Sequence, residues 1–171
     1  MADITQNLKQ FKSELPEEVT LVAVSKTKPN EDLQEAYDAG QRIFGENKIQ
    51  EMTDKWEALP KDIQWHMIGH VQTNKVKYMA PYVNLIHSAD RLKLFKEINK
   101  EAKKNERVID VLLQVKIAEE DSKFGMPPEE AKAFLEENKA AQYPNVNIVG
   151  LMGMASFVDD EVQIKREFTQ L

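Results

Sequence analysis

The sequence contains no cysteine among its 171 residues, which excludes disulfides, thiolate chemistry and zinc sites of the cysteine type. The three histidines, His66, His70 and His87, do not have the compact spacing of a helical metal motif such as H-E-x-x-H, so we expect no metal site. The N-terminus has no continuous apolar core of the kind found in export signals. Without an export signal or cysteine, a cytoplasmic location is the simplest expectation.

The sequence also lacks a basic excess and a long apolar run. Lys and Arg together number 23 against 29 Asp and Glu, and the resulting net charge of −6 argues against a nucleic-acid-binding protein. No stretch approaches the apolar length of a membrane span, so we expect neither a nucleic acid nor a membrane as partner. The length suits one globular domain with its own hydrophobic core.

Short apolar segments alternate with amphipathic ones along the chain. The apolar segments are rich in Val, Ile, Leu and aromatic residues and are almost continuously hydrophobic, which is typical of strands covered on both faces. We predict strands at 20–25, 42–45, 65–69, 83–88, 108–117 and 146–154. Apolar residues at helical spacing predict helices at 3–14, 31–39, 46–59, 91–104, 128–139 and 160–171, and Gln72, Thr73 and Asn74 are predicted to begin a further helix before the fourth strand.

Residues that commonly begin and end helices support these boundaries. Gly40 and Asn105 follow the last periodic positions of two predicted helices and indicate their ends. Asp90 is predicted to cap the helix that follows it, and Pro127 and Pro128 are predicted to open the next one.

One helix followed by six strand–helix units requires a parallel sheet with right-handed crossovers. An open doubly wound sheet and a (β/α)8 barrel both satisfy this pattern. No G-x-G-x-x-G follows the first strand, where Lys26 and Thr27 stand instead, so the α/β barrel is favoured. Eight-unit barrels typically contain about 250 residues, and the shortest about 200. We therefore interpret residues 1–171 as a single barrel domain truncated after about six units, with strands 7 and 8 missing.

The apolar run LVAVS delivers a lysine, Lys26, where the first strand should end. In a barrel the carboxyl ends of the strands face the functional site. Desolvation there lowers the pKa of a lysine and exposes a neutral amine that attacks carbonyl groups. From spacing alone, a solvated loop lysine is the commoner alternative. Lys28 and Lys123, in polar turns after the first and fifth strands, are further candidate amines.

Four other positions near predicted strand ends attract attention, each with a structural alternative. Asn47 in FGENKIQE offers donor and acceptor groups, but Glu46 and Asn47 also suit the first turn of a helix. His66 is more simply a satisfied core histidine than a general base. Gly69 allows a ligand or another backbone to approach closely. Met152 suits core filling or packing against a ring.

Five motifs together resemble the pyridoxal phosphate homeostasis proteins. They are AVSKTKP, FGENKIQE, WHMIGHVQTNK, SKFG and GLMGMA, in this order, and the resemblance runs from about residue 5 to the last residue. It implies a barrel of fold type III, like the N-terminal domain of alanine racemase. It also implies a protein that binds pyridoxal 5′-phosphate through a Schiff base, without established turnover, in vitamin B6 and amino-acid homeostasis.

The resemblance assigns cofactor-binding roles to individual residues. Lys26 corresponds to the lysine that forms the Schiff base, and Asn47 lies beside the cofactor by similarity. His66 and Gly69 would line the pocket beside the ring, and Met152 would face it from the sixth strand. The phosphate cradle of the family comes from later segments, including one of the form G-S-T-x-V-R-I-G, which lie beyond this sequence.

The implied function is that of a non-catalytic carrier and buffer of pyridoxal 5′-phosphate. Lys28 and Lys123 would be secondary amines, and pyridoxal-phosphate-dependent apoenzymes would be possible recipients of the cofactor. A racemase-like enzyme dependent on the same cofactor is the main alternative, and it would need a tyrosine from a second domain. A Schiff-base aldolase is a third. The mixed surface suits a monomer or a weak dimer.

Overall fold

The computed structural model describes residues 3–120, 124–137 and 139–171 and builds them into one parallel sheet covered by helices. The strands are β1 Ala23–Val24, β2 Ile43–Glu46, β3 Gln64–Met67, β4 Leu85–Ala89, β5 Ile109–Val115 and β6 Val146–Gly153. The helices are α1 Ile4–Glu14, α2 Asn30–Asp38, α3 Ile49–Ala58, α4 Val76–Met79, α5 Leu92–Lys104, α6 Pro128–Glu136 and α7 Glu161–Thr169. Short 3₁₀ turns occupy Thr73–Lys75 and Lys139–Gln142.

The strands are arranged in sequence order, β1-β2-β3-β4-β5-β6, and every neighbouring pair is parallel. This order results when each strand–helix unit adds its strand beside the previous one, as in a barrel, and it confirms the predicted α/β barrel architecture. Each predicted strand is present. Within the described residues, β1 and β6 each pair with one neighbour. No helix in those residues is long and apolar enough to cross a membrane.

One face of the sheet packs against the helices and forms the hydrophobic core. Strand register aligns Phe44 with Trp65 on this face, and Met67 with Ile86 and Val111. All five side chains are at most 1% exposed. Burial of this apolar area is the main stabilising contribution to the sheet. The helix side of every strand is therefore fixed by the burial of alternate residues.

The opposite face is the inner face of the partial barrel. Its middle row runs across the sheet through positions that are aligned in register: Val24, Gly45, His66, Leu85, Asp110 and Asn147. Val24 is 54% exposed, although it is an apolar strand residue. The inner face is therefore the accessible face of the sheet at its β1 side.

Some predicted boundaries differ from the structure. β1 has only two residues, both paired with β2, against six predicted. α3 begins at Ile49, and Glu46 belongs to β2, so the prediction that Glu46 and Asn47 form a first helical turn was wrong. Asp90 does not cap α5, because its carboxylate pairs with Arg91 and His70 instead. The predicted helix ends at Gly40 and Asn105 agree with the structure.

Candidate functional site

Lys26 occupies the second position of a tight turn that ends β1. The turn is closed by a hydrogen bond of 3.1 Å from the Lys28 amide to the Ser25 carbonyl oxygen. Thr27, in the third position, has a φ of 63°, a conformation that favours glycine or asparagine and is unfavourable for a β-branched side chain. Ser25 is buried on the helix side of the sheet, whereas Lys26, the next residue, is exposed.

A buried ion cluster lies behind this turn, on the helix side of the sheet. The ammonium group of Lys55 contacts Glu46 at 2.8 Å and Glu51 at 2.7 Å, and donates to the Ser25 carbonyl oxygen at 2.8 Å. These contacts use all three of its donor hydrogens. Glu46 is fully buried and Lys55 is 5% exposed, and the Lys55 ammonium group is the cation that pairs with the Glu46 carboxylate.

The same carboxylates bind the turn directly. The Ser25 hydroxyl donates to Glu46 Oε1 at 2.6 Å, and the Thr27 amide donates to Glu51 Oε1 at 2.6 Å. Burial alone would raise the pKa of Glu51, but the hydrogen bonds from Lys55 and Thr27 outweigh it and hold the pKa below its ordinary value. Glu51 therefore remains ionised while it holds the residue after Lys26.

Asn47 and Gly69 meet at the ends of β2 and β3. A Cβ atom on Gly69 would stand 2.4 Å from the Asn47 carbonyl oxygen and 2.7 Å from its Cα. The absence of a side chain at position 69 thus allows the two backbones to approach each other, which is one of the two functions predicted for this glycine. The Gly69 carbonyl oxygen in turn accepts a bond of 2.6 Å from the Ser88 hydroxyl.

His66 and His87 form a pair on the inner face. His66 Nδ1 and His87 Nε2 are 3.0 Å apart, so one ring donates the shared hydrogen and the other accepts it. Burial, followed by the neighbouring His87, lowers the pKa of His66 to about 4, and burial also lowers the pKa of His87. At neutral pH the pair therefore presents two uncharged rings, which agrees with the prediction of a satisfied histidine at position 66.

Met152 lies apart from this group. It lies on β6, in register with Gln114 of β5. β6 is at the opposite edge of the described sheet from β1, which precedes Lys26. Lys28 is exposed next to the Lys26 turn. Lys123 lies outside the described residues. The structure thus brings Asn47 into contact with Gly69, and it places Lys26, His66 and Met152 on strands or strand ends of the same sheet.

Sequence reasoning missed four polar residues of this region. His87 was considered only as a metal ligand, and Glu46, Glu51 and Lys55 were not recognised as a cluster. The i, i+4 spacing of Glu51 and Lys55 is a visible signal of a helix ion pair. The contact from Lys55 back to Glu46 and Ser25 depends on tertiary packing, so no local pattern reveals it.

Residues 1–171 match the family model described as the alanine racemase N-terminal domain. A pyridoxal phosphate homeostasis protein of Pasteurella multocida is 36% identical over 178 residues, which cover 100% of this chain and 75% of that protein. The chain belongs to this family. The homeostasis protein of Aquifex aeolicus is 42% identical over 152 residues, covering 88% of this chain. The chain spans 66% of the length of the Aquifex protein, somewhat less than two thirds.

A solved structure from the family has the same fold. PipY of Synechococcus elongatus, without PLP, superposes with a TM-score of 0.89 at 35% identity, over 98% of this chain and 78% of PipY. PipY with PLP bound superposes with a TM-score of 0.85 at 33% identity, over 98% of this chain and 77% of PipY. The partial barrel of this chain is thus a fold on which a relative binds PLP.

The inner face around Gly45 is lined by apolar side chains and by a histidine pair. A Cβ atom on Gly45 would stand 3.1 Å from side-chain atoms of Val22 and of Ile68, so these two apolar side chains close over the backbone of the glycine. The uncharged pair of His66 and His87 borders this apolar surface. An amine at a strand end beside a neutral, partly apolar surface is the chemistry that an aldehyde-bearing ring requires.

Proposed function

We propose that this chain binds pyridoxal 5′-phosphate covalently at Lys26 and serves as a carrier and buffer of the cofactor in vitamin B6 and amino-acid homeostasis. The observation that carries the proposal is the position of Lys26. Lys26 is exposed in a constrained turn at the carboxyl end of β1, in a fold shared with the PLP-bound relative, and the proposal is that its amine reaches the inner face.

When bound, pyridoxal 5′-phosphate would supply an aldehyde. Lys26 would supply the amine that condenses with it, with the release of one water molecule. Asn47, held against Gly69, offers an amide that can donate to and accept from the polar substituents of the ring. His66 contributes an uncharged surface, because its low pKa keeps it neutral at pH 7. Met152 would contact the ring from β6, on the opposite side of a closed barrel.

Binding without turnover is the second part of the proposal. A racemase would need an acidic group, such as a tyrosine, on the face of the bound ring opposite the lysine. The chain's four tyrosines belong to the outer helical layer: Tyr37 contacts Asp62, Tyr78 lies on α4, and Tyr82 and Tyr143 pack against Trp56 and Phe95. None of these positions is on a strand, so a racemase would have to take this group from a second domain. The names of the relatives, which are homeostasis proteins, support the carrier.

Several further properties belong to the same proposal. Pyridoxal-phosphate-dependent apoenzymes are the proposed recipients of the cofactor, in the cytoplasm, with a monomer or weak dimer as donor. Lys28 and Lys123 are the proposed secondary amines that would accept the cofactor from Lys26 during transfer. The interpretation of residues 1–171 as a single barrel domain stays a prediction.

The experiment that tests the proposal is a visible absorption spectrum after addition of pyridoxal 5′-phosphate, followed by borohydride reduction and peptide mass mapping. We expect the visible absorption band of an imine between the cofactor and an amine, and a reduced adduct at Lys26. Lys26→Met should abolish both, and Lys9→Met, on the exposed surface of α1, should change neither. Adducts spread evenly over many lysines would refute the assignment. Incubation of the loaded protein with L-alanine should yield no more D-alanine than free cofactor does.

A further inference from the structure

We infer that Glu51, together with Lys55 and Glu46, is a positioning residue for Lys26: the buried ion cluster sets the turn that holds the reactive amine on the inner face. The inference deepens the proposed function and rests on it, because it assigns a role to residues that do not touch the cofactor.

The first step is that both peptide groups flanking Lys26 are held by the cluster. The carbonyl oxygen of Ser25, in the peptide before Lys26, accepts from Lys55 Nζ at 2.8 Å. The amide of Thr27, in the peptide after Lys26, donates to Glu51 Oε1 at 2.6 Å. Lys26 is thus fixed on both sides by groups that themselves form an ion pair of 2.7 Å. Charge-assisted bonds of this kind are short and directional, so they restrict the backbone strongly.

The second step is that the turn needs an external restraint. Thr27 holds a φ of 63°, which a β-branched residue rarely adopts. Unfavourable backbone conformations persist where the surrounding structure enforces them, and they concentrate at functional sites. The carboxylate of Glu51 is the partner of the Thr27 amide, so it is the group that stabilises this conformation. Relaxation of Thr27 to negative φ would rotate the preceding peptide and redirect Lys26.

The two inner members of the cluster, Glu46 and Lys55, are shielded from solvent. The side chain of Glu46 is 0% exposed and that of Lys55 is 6% exposed, whereas that of Glu51 is 24% exposed. Salt therefore screens the inner contacts weakly, and they hold the β1 end under most conditions. Glu51 is at the rim, so it is the member that can be substituted with the least damage to the fold.

The test uses pyridoxal 5′-phosphate as probe and measures the rate of borohydride-trapped adduct formation at Lys26. Glu51→Ala removes the acceptor of the Thr27 amide, and we expect adduct formation at Lys26 to slow by roughly tenfold, with adducts shifting to other lysines. Glu51→Gln keeps an amide oxygen that accepts the same bond, so it should restore part of the rate. Thr27→Asn in the Glu51→Ala background should also restore part of it, because asparagine adopts positive φ readily.

Glu101→Ala is the matched control. Glu101 is also a helix carboxylate that pairs with a lysine, Lys104, at 2.7 Å, but it lies on α5, far along the sheet from β1. Its removal should lower the unfolding midpoint without slowing adduct formation at Lys26. Equal rates for the wild type and Glu51→Ala would overturn the positioning role, as would equal slowing by Glu101→Ala.

A readout independent of the cofactor separates the two proposals. Amide hydrogen exchange at Thr27 should accelerate by about tenfold in Glu51→Ala and remain unchanged in Glu101→Ala. If the wild type forms no adduct at Lys26, the proposed function fails, and the Thr27 exchange rate alone decides whether Glu51 holds the turn. Unchanged exchange in Glu51→Ala would refute that role whatever the cofactor does.

Discussion

Gly69 and Asn47 are in backbone contact: a Cβ atom at position 69 would stand 2.4 Å from the Asn47 carbonyl oxygen. Two strand ends that each carry a predicted cofactor residue can therefore approach this closely because position 69 has no side chain. No real Cβ atom tolerates such a distance, so any substitution must move one of the two backbones.

Gly69→Ala should consequently destabilise the fold and displace Asn47. We expect a loss of roughly 1–3 kcal/mol in the free energy of unfolding, measured by urea denaturation, because overpacking against backbone cannot be relieved by a rotamer change. Gly150→Ala is the control on β6, where the added Cβ would meet only Leu112 Cδ2 at 3.3 Å. Equal stability of the two variants would contradict the close approach.

The pair of His66 and His87 makes stability depend on pH. The folded pKa of His66, about 4, lies below its ordinary value of 6.5, so the unfolded chain binds the proton first as pH falls. The stabilising contribution is thus complete above about pH 6.5 and is lost as pH falls toward 4. We expect His66→Gln to reduce the loss of unfolding free energy between pH 7 and pH 4.5 by about 2 kcal/mol. An unchanged pH profile in that variant would show that this histidine does not titrate as described.

Removing one member of the buried pair of Lys55 and Glu46 should lower the free energy of unfolding more than removing both charges. Lys55→Met leaves the fully buried carboxylate of Glu46 without its cation, so we expect a loss of about 3–5 kcal/mol in urea denaturation. The double variant Glu46→Gln/Lys55→Met eliminates both charges and should recover part of this loss. If the losses of unfolding free energy in Glu46→Gln and in Lys55→Met added up to the loss in the double variant, the coupling between these side chains would be disproved.

Sequence patterns predicted the parallel barrel architecture because each strand and helix buries a periodic set of apolar residues. Phe44, Trp65 and Ile86 are examples, and their burial fixes which face of each strand meets the helices. The ends of the elements were less predictable. Asp90 resembles a helix cap in sequence, but its carboxylate is occupied by Arg91 and His70, and the latter is twenty residues away in the chain.

The candidate site shows the same division between local and tertiary information. The position of Lys26 at the end of an apolar run was visible in the sequence, and the structure places it at the end of β1. The buried partners of its turn were not visible. Glu46 suited the first turn of a helix, where a carboxylate lies near the positive end of the helix dipole. The approach of Lys55 from α3 and the bond from the Ser25 hydroxyl explain its burial in β2 instead.

The carboxylate of Glu167 contacts both of the loops that follow β5 and β6. Its carboxylate accepts from the Ser156 amide at 2.6 Å, the Ser156 hydroxyl at 2.8 Å and the Glu119 amide at 3.1 Å. The hydrogen bond from Gln163 and those from Ser156 and Glu119 lower its pKa to about 2, against the effect of burial. This carboxylate therefore ties two loops at the carboxyl ends of neighbouring strands to α7.

Glu167→Gln should release this connection, because one acceptor oxygen becomes an NH₂ group that cannot accept from the Ser156 amide. We expect faster amide hydrogen exchange at Ser156 and Glu119, with no change in Glu161→Gln, an exposed carboxylate of the same helix. In the wild type, the contribution of Glu167 to the free energy of unfolding should be complete above pH 4.5, the ordinary pKa of glutamate. It should decline as pH falls toward 2. Protection at Ser156 that survives both the substitution and pH 2 would mean that the loops are held by packing alone, and not by this carboxylate.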